Sequence, residues 1–165
     1  VETSSIMRLV TCARFAVVLS VVACIAAGCG DSIGEPTAEP AIEQAAERAA
    51  KSGVAELDLS SPDGIDYDTL LALTPYSNEE QARSEFGALV EPALPYVPTD
   101  DDAGGWVLAF VKDGEVVALR SSNPASFACV NGPIPASGAF FRVYRSSGDG
   151  RPQVVPRGLS RRDCV

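Results

Sequence analysis

The sequence predicts an α+β domain: a small, mostly antiparallel sheet with one or two covering helices. Three observations predict it. Two segments carry helix punctuation at both ends: Pro40 before a stop at Gly53, and Ser77-Asn78-Glu79-Glu80 before a stop at Gly87. Several short apolar runs are separated by turn residues, and strands joined by short turns pair antiparallel. Asp113-Gly114 lies between two such runs and supplies the positive φ angles that a tight hairpin needs.

Residues 40–52 read as the first helix. Pro40 suits its first position, and Ile42, Ala45, Ala46 and Ala49 recur at helical spacing. That face is thin, with one large side chain, and fits equally a helix docked on the domain and one that extends a stalk. Residues 55–59 alternate apolar and acidic side chains, as a half-buried strand does. Ser60-Ser61-Pro62-Asp63-Gly64 reads as a loop. Residues 67–73 are apolar enough for a buried strand, which Pro75 ends.

Ser77 and Glu80 have the spacing of a capping box, so a second helix is expected over 78–86. Residues 89–98 hold three prolines and read as irregular. Residues 106–111 and 115–119 are the two arms of the hairpin. The first arm is apolar on both faces, which places it centrally in a sheet. Residues 123–137 read as a loop holding Cys129. Residues 139–145 read as a strand with Phe141 and Val143 on one face, turned back by residues 146–150 toward Val154-Val155.

The chain carries 13 basic and 22 acidic residues, a net charge of -9, and no histidine. That balance excludes bulk nucleic-acid binding, whose footprint is a basic domain. The lack of histidine excludes Ser-His-Asp and Cys-His catalysis. Lys51 and Lys112 are the only lysines, and neither follows a glycine-rich phosphate loop. Asp100-Asp101-Asp102 offers hard oxygens of the kind Ca²⁺ takes. It lacks the alternating ligand positions of an EF-hand and reads as a solvated loop. Asp63, Asp66 and Asp68 form a second acidic cluster, without the fixed separation that paired catalytic carboxylates require. No enzyme, catalytic residue, cofactor or metal site is expected.

The final stretch is basic, with Arg142, Arg145, Arg151, Arg157, Arg161 and Arg162. Arg142 and Tyr144 share a strand face. Together with Arg145 they form the candidate binding surface, since arginines beside exposed aromatics make binding hot spots. The plainer reading is that these arginines neutralise the domain's own acids. Tyr76, Trp106, Phe140 and Tyr144 likewise read first as packing.

The start of the chain has a different character. Residues 15–27 are almost wholly apolar, follow Arg8 and Arg14, and run into Ala26-Ala27-Gly28-Cys29 before the polar Gly30-Asp31-Ser32. This arrangement resembles a bacterial lipoprotein signal peptide with its lipobox. The run is shorter than the roughly 20 apolar residues that span a bilayer. The resemblance implies removal of residues 1–28, a lipid on Cys29, and a protein exported and anchored to the cell membrane on its extracytoplasmic side. Val21-Val22-Ala23-Cys24 competes as a lipobox but would leave Ile25-Ala26-Ala27 on the mature terminus, so Cys29 is preferred. Met7 is the only methionine, and translation is read as starting there or at a non-ATG Val1. Residues 29–40 then read as a flexible tether and 41–165 as a single domain.

Export also bears on the cysteines. Cys129 and Cys164 are the two that remain beyond the signal region, an even number in an oxidising compartment, and are expected to form a disulfide. Asp66-Tyr67-Asp68, Thr74-Pro75-Tyr76 and the stretch from Trp106 to Gly114 are similar to a pattern in uncharacterised small exported bacterial proteins, a group with no settled activity to carry over. The leading expectation is a non-enzymatic envelope lipoprotein that docks a protein or polymer partner. The alternatives are a small-ligand binding lipoprotein and a secreted protein without lipid.

Overall fold

The hairpin is the most local part of the fold, and the rest is arranged around it. In the computed structural model, residues 33–75, 78–98, 105–145 and 150–164 are described. Residues 1–28, read above as a signal peptide, and Cys29, Tyr76, Ser77 and the Asp100-Asp101-Asp102 run lie outside them. In chain order the strands are β1 (Thr37–Ala38), β2 (Val54–Asp58), β3 (Thr69–Leu73), β4 (Val107–Lys112), β5 (Glu115–Ser121), β6 (Ser126–Phe127), β7 (Ile134–Pro135), β8 (Phe140–Tyr144) and β9 (Gln153–Pro156). The α-helices are α1 (Pro40–Ser52) and α2 (Glu79–Phe86).

β4 and β5 meet at Asp113 and Gly114, whose φ angles are 50° and 81°. Both central residues of a two-residue I′ turn need positive φ, which explains the Asp-Gly pair. β4 also pairs antiparallel with β3, and the sheet order is β1-β5-β4-β3-β7. A second sheet has the order β2-β8-β9-β6. Pairing is antiparallel except for β1 with β5 and β6 with β9. The class is α+β, mostly antiparallel, with two helices.

Two sheets replace the single one expected, and β4 shows why. Both of its faces are apolar, so both need cover. On one side Leu108 and Phe110 join Leu70 and Ala72 of β3. They pack against Leu57, Phe127, Phe141, Val143 and Val154 of the second sheet and the buried face of α1. On the other side Val107, Ala109 and Val111 join Leu71 and Leu73 under Ala82 and Phe86 of α2. The 3₁₀ turn Pro62–Gly64, with Asp63 at φ 50°, lies between β2 and β3, which belong to different sheets.

Four local expectations are corrected. The cap of α2 is Asn78, whose Oδ1 accepts from the Gln81 amide at 2.8 Å, one residue beyond the proposed Ser77. Residues Gly87–Tyr96 form a 3₁₀ helix rather than an irregular stretch. Its three-residue period puts Val90, Ala93 and Tyr96 in one row against the core, and Leu89, Pro92 and Pro95 in another. The tether expected over 29–40 reaches the fold early: Thr37 and Ala38 pair with Arg120 and Ser121. The loop over 123–137 likewise contributes the short strands β6 and β7. Cys129 and Cys164 form the expected disulfide, with Cα atoms 5.3 Å apart and a sequence separation of 35.

Glu39 follows β1 and caps α1. Its Oε1 accepts from the Ala41 amide at 3.1 Å, its own amide bonds to the Ser121 carbonyl, and its side chain is only 1% exposed. Oε2 lies 3.6 Å from Arg120 Nε and has no hydrogen bond. Burial pushes this carboxyl above its ordinary value of 4.5. The Ala41 amide opposes the rise, Asp63 adds to it, and Arg120 opposes it. Between the ordinary and the raised value the native state binds more protons than the unfolded chain. The group's stabilisation is therefore complete below the ordinary value and is lost as pH rises through the raised one. Glu39→Gln is expected to remove that loss. Urea midpoints of wild type and variant should converge on acidification and separate toward neutral pH. Parallel pH profiles would reject the assignment.

Candidate functional site

A sheet edge exposes backbone donors and acceptors, and proteins blunt such edges by keeping them short. Among the described residues the first sheet ends in β1 and β7, and the second in β6 and β2. β1, β6 and β7 have two residues each, whereas β2 has five. Among the described residues β2 is therefore the longest of the four terminal strands, although β5 also runs on past β1 over Glu115–Leu119.

Helix α1 runs beside this edge. Its buried face is Ile42, Ala45, Ala46 and Ala49, three of them small, which lets the helix sit close to the sheet. Ala41, Gln44 and Arg48, spaced by three and four, line one wall of an open groove of about 410 Å³. Glu56, Leu57 and Asp58 line the other wall, and Phe140 and Arg157 complete it.

The direction of the β2 backbone follows from its hydrogen bonds. Leu59 N–H donates to the Ala139 carbonyl, and Arg145 N–H donates to the Gly53 carbonyl, so odd-numbered groups face β8. The Val54 carbonyl accepts from Ser52 Oγ at 2.6 Å, and the Glu56 carbonyl from Arg48 Nη2 at 3.2 Å. Strand alternation then turns the Glu56 and Asp58 amides toward α1.

The two carboxylates of the groove are already engaged. Glu56 lies directly across from Arg142, whose Nε donates to Oε1 at 3.1 Å, and Arg157 Nε stands 3.7 Å from Oε2. Glu56 first, and then the Tyr144 hydroxyl, raise the Arg142 pKa further. The Asp58 carboxylate accepts from Ser60 Oγ at 2.7 Å and Ser60 N–H at 2.8 Å, which holds it below its ordinary value. Arg48, by contrast, has no carboxylate within ion-pair distance among the described residues; its partner is a backbone carbonyl.

Of the residues singled out in the sequence, Phe140 and Arg157 line this groove and the others fall around it. Arg142 and Tyr144 do share the outer face of β8, and Arg142 is occupied by Glu56. Arg145 follows the strand, is exposed, and accepts at its carbonyl from Arg161. Asp66 pairs with Lys112, and Asp68 accepts from the Asp113 amide at 3.1 Å, so both carboxylates brace the β4–β5 turn. Trp106 packs on Phe127 at 5.9 Å, while Phe140 reaches the groove. Among the described residues no group of three or more His, Cys, Asp or Glu is placed to hold a metal, and no helix is long and apolar enough to cross a membrane.

Sequence reasoning missed Gln44 and Arg48, and named Arg157 only as part of the basic stretch from Arg142 to Arg162. The polar stripe of Ala41, Gln44 and Arg48 was visible beside the apolar face of α1, but its partner strand was not. No protein-family model, curated protein or solved structure matches this chain.

Proposed function

We propose that this chain is an exported interaction module. A lipid on Cys29 holds it at the extracytoplasmic face of the membrane, and it docks an envelope protein or polymer in the groove between α1 and β2. The observation that carries the docking role is β2, the longest terminal strand among the described residues, lying open beside a helix whose Arg48 has no carboxylate partner among them. The groove is open rather than enclosed. That suits an extended partner better than a small molecule, whose pockets bury most of the ligand surface. The lipid anchor is supported by the sequence of residues 8–32, and the disulfide fits an oxidising compartment. No catalytic chemistry is assigned.

A photoreactive amino acid at Gln44 of the full chain, expressed in cells, tests this reading. Crosslinks to one envelope component are expected from position 44. They should be absent from the exposed Glu115 at the far hairpin and lost with Cys29→Ala. Equal capture from positions 44 and 115 would reject the groove, and capture unaffected by Cys29→Ala would reject the anchor.

A further inference from the structure

We propose that the groove takes an extended peptide, which adds to the second sheet as a new strand along β2 and places a carboxylate on Arg48; this rests on the docking role proposed above.

Strand addition needs an edge with several free backbone groups. Among the described residues the other three terminal strands have two residues each and offer too few, and β2 is the one of the four that lines the groove. On β2 the Glu56 and Asp58 amides both face the groove. They are two residues apart, about 6.6 Å along a strand, which is the spacing of alternate carbonyls on an incoming strand. α1 forms the far wall, with the small Ala41 leaving room at one end and Phe140 giving an apolar contact.

Charge selects the kind of peptide. Glu56 is shared by Arg142 and Arg157, and Asp58 is held by Ser60, so neither seeks a cation. Among the described residues the Arg48 guanidinium is bound only to the Glu56 carbonyl. Moving its guanidinium from that carbonyl to a carboxylate replaces a bond to a neutral acceptor with a stronger charge-assisted one. The same movement frees the Glu56 carbonyl to accept from the incoming backbone. Glu56 would then offer both its donor and its acceptor, as an antiparallel pair requires. Arg157, at the groove as well, is already paired with Glu56, so Arg48 is the groove cation that directs an acidic segment.

The test uses acetylated and amidated hexapeptides of alternating Thr and Val, with one Glu moved through the positions, added to the full chain labelled with ¹⁵N. The best peptide is expected to slow exchange of the Glu56 and Asp58 amides about tenfold or more, equivalent to about 1.4 kcal/mol. The Leu57 amide, which faces β8, should keep its rate. The same peptide N-methylated on its edge-facing amides, or with Lys for Glu, should lose the effect. Arg48→Glu should reverse the preference from the Glu to the Lys peptide. The N-methyl comparison leaves the protein unaltered, so it stands even if a variant folds poorly. Unchanged Glu56 and Asp58 exchange with every Glu peptide overturns the proposal, as does a Glu preference retained in Arg48→Glu. Either result alongside specific crosslinks from position 44 removes strand addition while leaving the docking surface in place.

Discussion

Phe110→Ala is expected to cost about 3–5 kcal/mol of folding stability, the range for deleting a large aromatic from a well-packed core. Phe110 is fully buried at the centre of β4, between Leu70 of β3 and Ala118 of β5. Its ring meets Tyr67 edge-on, with centroids 4.9 Å apart and planes at 81°. Tyr67 is itself fixed by donating its hydroxyl to the Leu59 carbonyl. Its pKa is pushed up to about 12, by burial first and then by Asp58. Losing the Phe110 ring therefore opens a void and removes the support of a buried hydroxyl. A domain of this size holds about 5–15 kcal/mol in total, so the variant should sit near its unfolding limit. Urea unfolding measures the effect. A loss below about 1.5 kcal/mol would mean that the cavity collapses or that Phe110 is not a core residue.

Removing the disulfide by Cys129→Ala with Cys164→Ala is expected to cost about 3–4 kcal/mol on the chain-entropy account. The bridge ties the 3₁₀ turn Arg161–Cys164 to the loop after β6. Asp163 lies within the tie: its carbonyl is 3.5 Å from Cys129 Sγ, and its carboxylate accepts from the Ser160 amide at 2.7 Å. The local effect should be largest on β9, with faster amide exchange there than on β4. Reduction of wild type should bring its urea midpoint down to that of the double variant. A wild type unmoved by reductant would show that the bridge contributes nothing to stability.

The features legible in advance were those encoded within a few residues. Asp113-Gly114 defines its turn locally. Pro40, Gly53 and Gly87 mark helix ends by their own backbone preferences, with Gly87 at φ 61°. Two adjacent candidates compete at the start of α2, since Ser77 and Asn78 are both good caps. Local pattern does not choose between them; the register of Ala82 and Phe86 on the core does. Prolines 92 and 95 read as breakers because proline interrupts an α-helix, whereas here both lie inside a 3₁₀ helix. Thr37 and Ala38 read as tether because a two-residue strand shows no periodicity.

The groove was not legible because it depends on distant pairings. Glu56 meets an arginine 86 residues further along the chain, and β2 becomes an edge because β8 pairs on one side and no described strand pairs on the other. The alternation of residues 55–59 gave the strand and its acidic face, without its neighbours. The surface offered by Arg142, Tyr144 and Arg145 rested on the face that Arg142 and Tyr144 share, which is correct. It could not show that Glu56 already holds Arg142.

β4 divides two cores, and this changes what keeps it in register. In a half-exposed strand, slipping by one residue turns apolar side chains into water, and that penalty enforces the pairing. Here a slip would expose nothing, because both sides are dry. It would instead send the bulk of Leu108 and Phe110 into the space shaped for Val107, Ala109 and Val111, leaving gaps where the larger pair had been. Overpacking on one side and voids on the other are each unfavourable. The alternation that matters along this strand is thus one of volume, and polarity has no part in it.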